Sequence, residues 1–214
     1  VASAVYEAVF LPVKDSADGT VDHNSLDYLL NVAKHSNAVV LGCGLKVCGD
    51  TVRFVSEFIS ACTTPMLIDA DGINVLENHI DILRGRTSPT ILTPHEGEFA
   101  RLGGVLTGNR MENAKDLAED IGCIVVLKGH ETIITDGSTC YINPTGNPGM
   151  AVGGSGDILA GVITGLLGQG LSPIEASACG VWLHGAAGDL CAKEIGQYGM
   201  LPSDMLNALP RLLK

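Results

Sequence analysis

Short apolar runs alternate with stretches whose apolar residues recur every three or four positions. Ala38–Leu41 reads as a buried strand stopped by Gly42, and Thr51 to Cys62 as a helix with Phe54, Val55, Phe58 and Ile59 on one face. Pro65–Asp69 and Thr90–Thr93 read as further strands, the second followed by a helix from about Glu96. Met111–Ile121 is a predicted helix and Cys123–Leu127 a β-branched strand. Glu131–Thr135 and Thr139–Ile142 form a predicted hairpin turned by Asp136-Gly137. From Gly156 onward the pattern is mostly helical, with Ile158, Leu159, Val162, Ile163, Leu166 and Leu167 on one face. The next helix runs from Ser172 to Ile195, with Ser172 as N-cap, Pro173 in the first turn and Glu175 at the capping-box position. Within it, Trp182 and His184 read as packing residues, whereas His23, His35 and His79 read as surface.

Strands alternating with helices predict an α/β fold, with a mostly parallel sheet covered on both faces. No linker or repeat divides the chain, so a single domain over residues 1–214 is expected. Ligands of such sheets bind beyond the carboxyl ends of the strands. Four polar clusters follow strands there: Gly42-Cys43-Gly44, Asp69-Ala70-Asp71, Thr93-Pro94-His95-Glu96 and Lys128-Gly129-His130.

The strongest chemical signal is Asn147-Pro148-Gly149-Met150-Ala151-Val152-Gly153-Gly154-Ser155-Gly156-Asp157. Glycines let backbone approach a ligand closely. The first N–H groups of the following helix carry partial positive charge, which suits phosphate. Asp157 stands there, placed to take a proton from a hydroxyl. The plain alternative is a glycine-rich turn with an acidic helix start, but a simple cap does not need three glycines in four residues. Lys128 to Thr132 can hold a nucleotide, or be an ordinary turn. His95 can touch a substrate and Glu98 can hold hydrated Mg²⁺ through water, or both can cap a helix. Asp69 and Asp71 suit a ligand network or a turn equally.

Charge narrows the partners. The 13 basic and 24 acidic residues leave a net charge of −11, a surface that disfavours nucleic acid and anionic membrane. No apolar run reaches the ~20 residues of a membrane span, and no basic-then-apolar leader opens the chain. The 7 cysteines lack paired CxxC spacing, which predicts reduced, mostly buried thiols and a cytoplasmic location.

Thr93-Pro94-His95-Glu96-Gly97-Glu98, Lys128-Gly129-His130-Glu131-Thr132 and Gly146-Asn147-Pro148-Gly149-Met150-Ala151 leading into Gly154-Ser155-Gly156-Asp157 together resemble the ADP/ATP-dependent NAD(P)H-hydrate dehydratases. The likeness runs from about Val39 to the C-terminus. It implies a three-layer ribokinase-like fold and a lyase that repairs hydrated NADH or NADPH. The ring hydroxyl is phosphorylated from ADP or ATP, with Mg²⁺, and phosphate then leaves. It implies that Gly44, His95, Asn147 and Asp157 meet the hydrated dinucleotide, and that Lys128, Gly129, His130, Glu131, Thr132, Gly154, Ser155 and Gly156 meet the adenine nucleotide. Asp157 is then the base. A homo-oligomer, up to a tetramer, is also implied.

Two departures stand out: Gly42-Cys43-Gly44-Leu45-Lys46 replaces the usual Gly-Pro-Gly-Leu-Gly, and Val152 stands where threonine is common. The family also has a glycine-rich strand and helix before the position of Val1. The opening run Val1–Phe10 is apolar, so an uncovered sheet edge or face is expected in these 214 residues alone. The rival readings are a vitamin-precursor kinase of the same superfold, acting on a hydroxymethyl-pyrimidine or hydroxyethyl-thiazole, and a non-catalytic nucleotide-binding module. The Asn147–Ala151 stretch and His95 argue against the first, and Asp157 against the second.

Overall fold

The computed structural model describes residue 5 and residues 7–213. Residues 1–4 and 6 of the apolar opening run lie outside the described residues; within the rest, Val9 and Phe10 are exposed. In chain order the elements are α1 (Leu26–Lys34), β1 (Val39–Leu41), α2 (Gly49–Ala61), β2 (Met66–Ile68), α3 (Asp71–Val75), α4 (Asp81–Arg84), β3 (Thr90–Leu92), α5 (Glu96–Arg101), α6 (Arg110–Ile121), β4 (Ile124–Leu127), β5 (Ile133–Thr135), β6 (Cys140–Ile142), α7 (Ser155–Gly168), α8 (Pro173–Glu194) and α9 (Pro202–Leu212).

The strands form one sheet in sequence order, β1 to β6. The first four run parallel, and β5 and β6 turn back antiparallel. The strand alternation sorts the side chains into two layers. Met66, Ile68, Leu92, Val125, Leu127 and Ile133 face Phe54, Val55, Phe58 and Ile59 of α2, Phe99 of α5 and Leu117 and Ile121 of α6. Leu67, Ile91, Val126 and Ile134 point the other way, onto Leu159, Ile163 and Leu167 of α7 and Ala176 and Val181 of α8. Helices therefore cover both faces, as expected of a parallel sheet. A third apolar cluster joins α8 to α9 through Leu183, Ala187, Cys191, Met205 and Leu209.

Several expectations need correction. Trp182 is 46% exposed, because its position on α8 turns away from the sheet, so it is not a packing residue. His23 is half-buried rather than free on the surface, and its Nε2 lies 2.8 Å from Glu57 Oε2 of α2. Three cysteines, Cys62, Cys123 and Cys191, are buried, so most of the thiols are not. Strand β5 begins at Ile133, because Glu131 adopts a left-handed backbone (φ 56°) that ends the extended run. At the sheet edges, Val40 of β1 is 44% exposed and Ile142 of β6 is 53% exposed.

A candidate active site at the start of helix α7

Four strand ends and one helix start meet at the carboxyl rim of the sheet. Helix α7 starts abruptly because Gly154, at its N-cap, takes φ +91°, which an L side chain adopts only under strain. Ser155 N–H is bonded to Val152 O at 3.2 Å, and Ile158 N–H to Gly154 O at 3.2 Å. Among the described residues no backbone acceptor takes the N–H groups of Gly156 and Asp157. These donors open the helix with its positive dipole end, the usual place for a phosphate. Asp157 is exposed, and no cation pairs with its carboxylate among the described residues.

Beside Asp157 lie residues from β1 and β2. The Cys43 sulfur and one carboxylate oxygen each of Asp69 and Asp157 fall within 4.8 Å of one another. Crowding by the loop, a hydrogen bond to Asp157, and the Asp157 and Asp69 charges push the Cys43 thiol up to about 12. It therefore stays protonated at neutral pH, with its sulfur within 4.8 Å of an Asp157 carboxylate oxygen. Asp69, 1% exposed, follows β2 and accepts from Thr93 Oγ1 at 2.7 Å and from Lys128 Nζ at 2.8 Å. Lys128, directly after β4, also lies 3.6 Å from Glu98 Oε2. A Cβ at Gly156 would meet the same ammonium at 3.6 Å, so Lys128 reaches the glycine turn itself. Three carboxylates answered by one lysine leave this cluster net negative.

The other candidates divide. His95 caps α5: its Nδ1 accepts from Gly97 N–H at 3.0 Å and Glu98 N–H at 3.2 Å, while Glu98 Oε2 accepts His95 N–H at 2.8 Å. With Nδ1 accepting, Nε2 is the ring's donor, and it lies 3.5 Å from Glu98 Oε1. Glu98 is buried and committed to this capping box and to Lys128. Gly44 is exposed, with open space beside its Cα. In the Lys128–Thr132 loop, Gly129, His130 and Glu131 are exposed, while Thr132 Oγ1 donates to Gly129 O at 3.0 Å. Asn147 Oδ1 accepts from Gly149 N–H at 3.0 Å and its Nδ2 donates to Asp189 Oδ1 at 3.0 Å, so much of its polarity is spent inside the chain. Asp71 leaves the cluster, since its Oδ2 accepts Lys46 N–H at 2.8 Å from the loop after β1.

Sequence reading missed two supports. Arg110 Nη1 donates to the His130 carbonyl at 3.0 Å and so braces the Lys128–Thr132 loop; nothing at the start of α6 distinguishes it from a solvated helix-end cation. Asp189 ties Gly146 and Asn147 to α8, and an acid inside a helical pattern carries no signal of that kind.

A family model described as NAD(P)H-hydrate dehydratase matches residues 4–211. The chain belongs to the NAD(P)H-hydrate dehydratase family. Among curated relatives of this family, the bifunctional NAD(P)H-hydrate repair enzyme Nnr of Moorella thermoacetica is 41% identical over 97% of the chain, which spans about 40% of that relative's length. The ADP-dependent (S)-NAD(P)H-hydrate dehydratase of Neisseria meningitidis serogroup B is 38% identical over 86% of the chain and 66% of its own length. Among solved structures, the ADP/ATP-dependent NAD(P)H-hydrate dehydratase from Bacillus subtilis co-crystallized with ATP/Mg²⁺ superposes with TM-score 0.72 at 32% identity, covering 86% of this chain and 68% of that one. A ribokinase-like superfamily protein from Enterococcus faecalis V583 gives TM-score 0.79 at 30% identity over 90% of this chain and 68% of its own. The fold is ribokinase-like.

Proposed function

We propose that this protein repairs hydrated NADH or NADPH, with ADP or ATP as phosphoryl donor. The observation that carries the reading is the unpaired Asp157 carboxylate beside the free N–H groups of Gly156 and Asp157 at the start of α7. A base and an anion cradle at one helix end are what phosphorylation of a hydroxyl requires. Phosphoryl transfer depends on in-line positioning and charge stabilisation more than on covalent help.

Asp157 takes the proton of the ring hydroxyl as its oxygen attacks the terminal phosphorus. AMP leaves when ADP is the donor, and ADP leaves when ATP is. The phosphorylated ring then expels phosphate, loses a proton, and regains its double bond. Cys43, a protonated thiol within 4.8 Å of the Asp157 carboxylate, does not compete with it as a base. The free N–H groups of Gly156 and Asp157 and the Lys128 ammonium meet the developing charge on the phosphoryl oxygens. Lys128 to Thr132 line the adenine nucleotide. Gly44, His95 and Asn147 hold the hydrated dinucleotide, His95 through its exposed ring and Asn147 through its remaining Nδ2 hydrogen.

Mg²⁺ fits the charge of this cluster, whose three carboxylates exceed its one lysine. Glu98 would hold the hydrated ion through water, since its Oε2 is committed to His95 N–H and Lys128 and its Oε1 faces His95 Nε2 at 3.5 Å. Such an ion neutralises phosphate charge when bound. We read the protein as cytoplasmic, in keeping with its 7 unpaired thiols, and as a homo-oligomer, which light scattering would test. No helix among the described residues is long and apolar enough to cross a membrane.

Product analysis separates this reading from a kinase of the same fold. Incubation of NADH hydrate with ADP is expected to yield NADH and inorganic phosphate in equal amounts. A stable phosphoester, or no NADH, rules the reading out.

A further inference from the structure

Helix α8 carries two polar side chains that have no part in the proposed chemistry yet grip the segment that does. His184 is buried, and its Nε2 lies 3.3 Å from the Oγ of Ser155, the first residue of α7. Five residues later, Asp189 accepts Gly146 N–H through Oδ2 at 2.9 Å and Asn147 Nδ2 through Oδ1 at 3.0 Å. With about 3.6 residues per turn, Gly185 and Gly188 fall between them on the helix surface. A Cβ at Gly185 would collide with Thr145, and one at Gly188 with the Met150 side chain. The segment thus lies directly on α8, over a stripe made of glycine, with one polar clasp at each side. Thr145 Oγ1 adds a hydrogen bond to the Trp182 carbonyl at 3.1 Å.

We propose that His184 and Asp189 are positioning residues that lock the segment from Gly146 to Asp157 onto α8, so that the Asp157 carboxylate and the α7 amide groups hold one geometry for phosphoryl transfer. This inference rests on the role of Asp157 in the proposed reaction. Gly153, Gly154 and Gly156 make the turn permissive, and a permissive turn does not by itself hold a carboxylate to a fraction of an ångström. The clasp supplies that restraint from outside the turn. Ser155 is the lever: its N–H is tied to Val152 O and its Oγ to His184, so its orientation sets the direction of the Gly156 and Asp157 amides. An apolar side chain in place of His184 would fill the same buried space but leave Ser155 Oγ without its partner. Asp189 holds the far end of the same segment, and so decides where Asn147 presents its remaining donor.

The test uses the purified protein, NADH hydrate and ADP. Turnover by the wild type comes first; its absence defeats the functional reading, whatever α8 does. Given turnover, His184→Phe is expected to melt near the wild-type temperature but to lose roughly tenfold or more in kcat, as expected for a misplaced reacting group, with KM for NADH hydrate changed less than about threefold. His184→Gln, whose amide reaches the Nε2 position, is expected to restore kcat to within about threefold of wild type. Asp189→Leu is expected to raise KM for NADH hydrate as well, because it frees Asn147. A folded His184→Phe variant with unchanged kcat overturns the proposal. So does a kcat loss that Gln fails to rescue and that follows the melting temperature. Should His184→Phe not fold, Ser155→Ala breaks the same hydrogen bond from its other end, and undiminished kcat there is equally fatal.

Discussion

The carboxylate of Asp157 owes its proposed role to what does not touch it: among the described residues no lysine or arginine pairs with it, and the Cys43 sulfur lies within 4.8 Å of it. Asp157→Asn keeps that shape and removes the base. It is expected to bind ADP nearly as the wild type does and to turn over roughly a hundredfold more slowly, which steady-state kinetics beside calorimetry would establish. Gly156 makes the complementary case. A Cβ there meets Lys128 Nζ and Asp69 Oδ2 at 3.6 and 3.7 Å, ordinary contact among the described residues, but a side chain built on it occupies the approach of the phosphate. Gly156→Val should therefore fold and bind ADP more weakly; unchanged affinity would refute the placement of the phosphate. His184 links the same region to pH. Burial pushes its imidazole from 6.5 down to about 4, so folding favours the neutral ring. Its contribution to stability is complete above pH 6.5 and is lost as pH falls toward 4, by about 3 kcal/mol at ~1.4 kcal/mol per unit. Urea unfolding at pH 7 and pH 4.5 should show a smaller acid loss in His184→Phe than in the wild type, since the carboxylates are common to both. An equal loss would show that the buried imidazole is not responsible.

At the scale of elements, the loops that end β2, β3 and β4 are joined by one ion. Among the described residues Lys128 is the one lysine or arginine beside Asp69 and Glu98, whose side chains are 2% and 6% exposed. Removing it by Lys128→Met strands a buried carboxylate, a change that costs about 3 kcal/mol or more. Asp69→Asn in the same chain should recover much of that loss, as thermal melts of the single and double variants would show. A Lys128→Met protein as stable as the wild type would mean that the lysine serves the ligand alone. Much of this rim was legible beforehand, because strand ends of a parallel sheet are where ligands bind and the polar clusters there are conspicuous. The pairing of Lys128 with Asp69 was not legible, since the two are 59 residues apart and only the sheet order brings them together. The capping box of α5 was readable as one of two alternatives for His95 and Glu98, and the geometry realises it. The short helices α3 and α4 gave no periodic signal, being 5 and 4 residues long. Trp182 misled because a helical stripe of apolar residues does not say which helix face finds a partner, and α8 faces the sheet on one side, α9 on another and solvent on a third.

For the whole molecule, the alternation of strands and helices was enough to anticipate an α/β fold with both faces of the sheet covered, and the two apolar layers confirm it. The hairpin of β5 and β6 was legible in its Asp136-Gly137 turn, but the order of the remaining strands was beyond reach of periodicity, being a product of crossover geometry rather than of any local pattern. The fold predicts its own linkage to ligand. If the glycine turn, the Lys128 loop and α8 form one cradle, ADP at a hundred times its Kd should stabilise the protein by about 2.7 kcal/mol, visible as a rise in melting temperature. The Asp157→Asn variant should show the same rise, since its nucleotide contacts are intact. The most direct test of the central claim is to follow NADH absorbance in NADH hydrate with ADP and Mg²⁺, with wild-type protein and Asp157→Asn side by side. The account predicts that absorbance returns with the wild type, matched by released phosphate, and returns roughly a hundredfold more slowly with the variant. Equal rates in the two would contradict it.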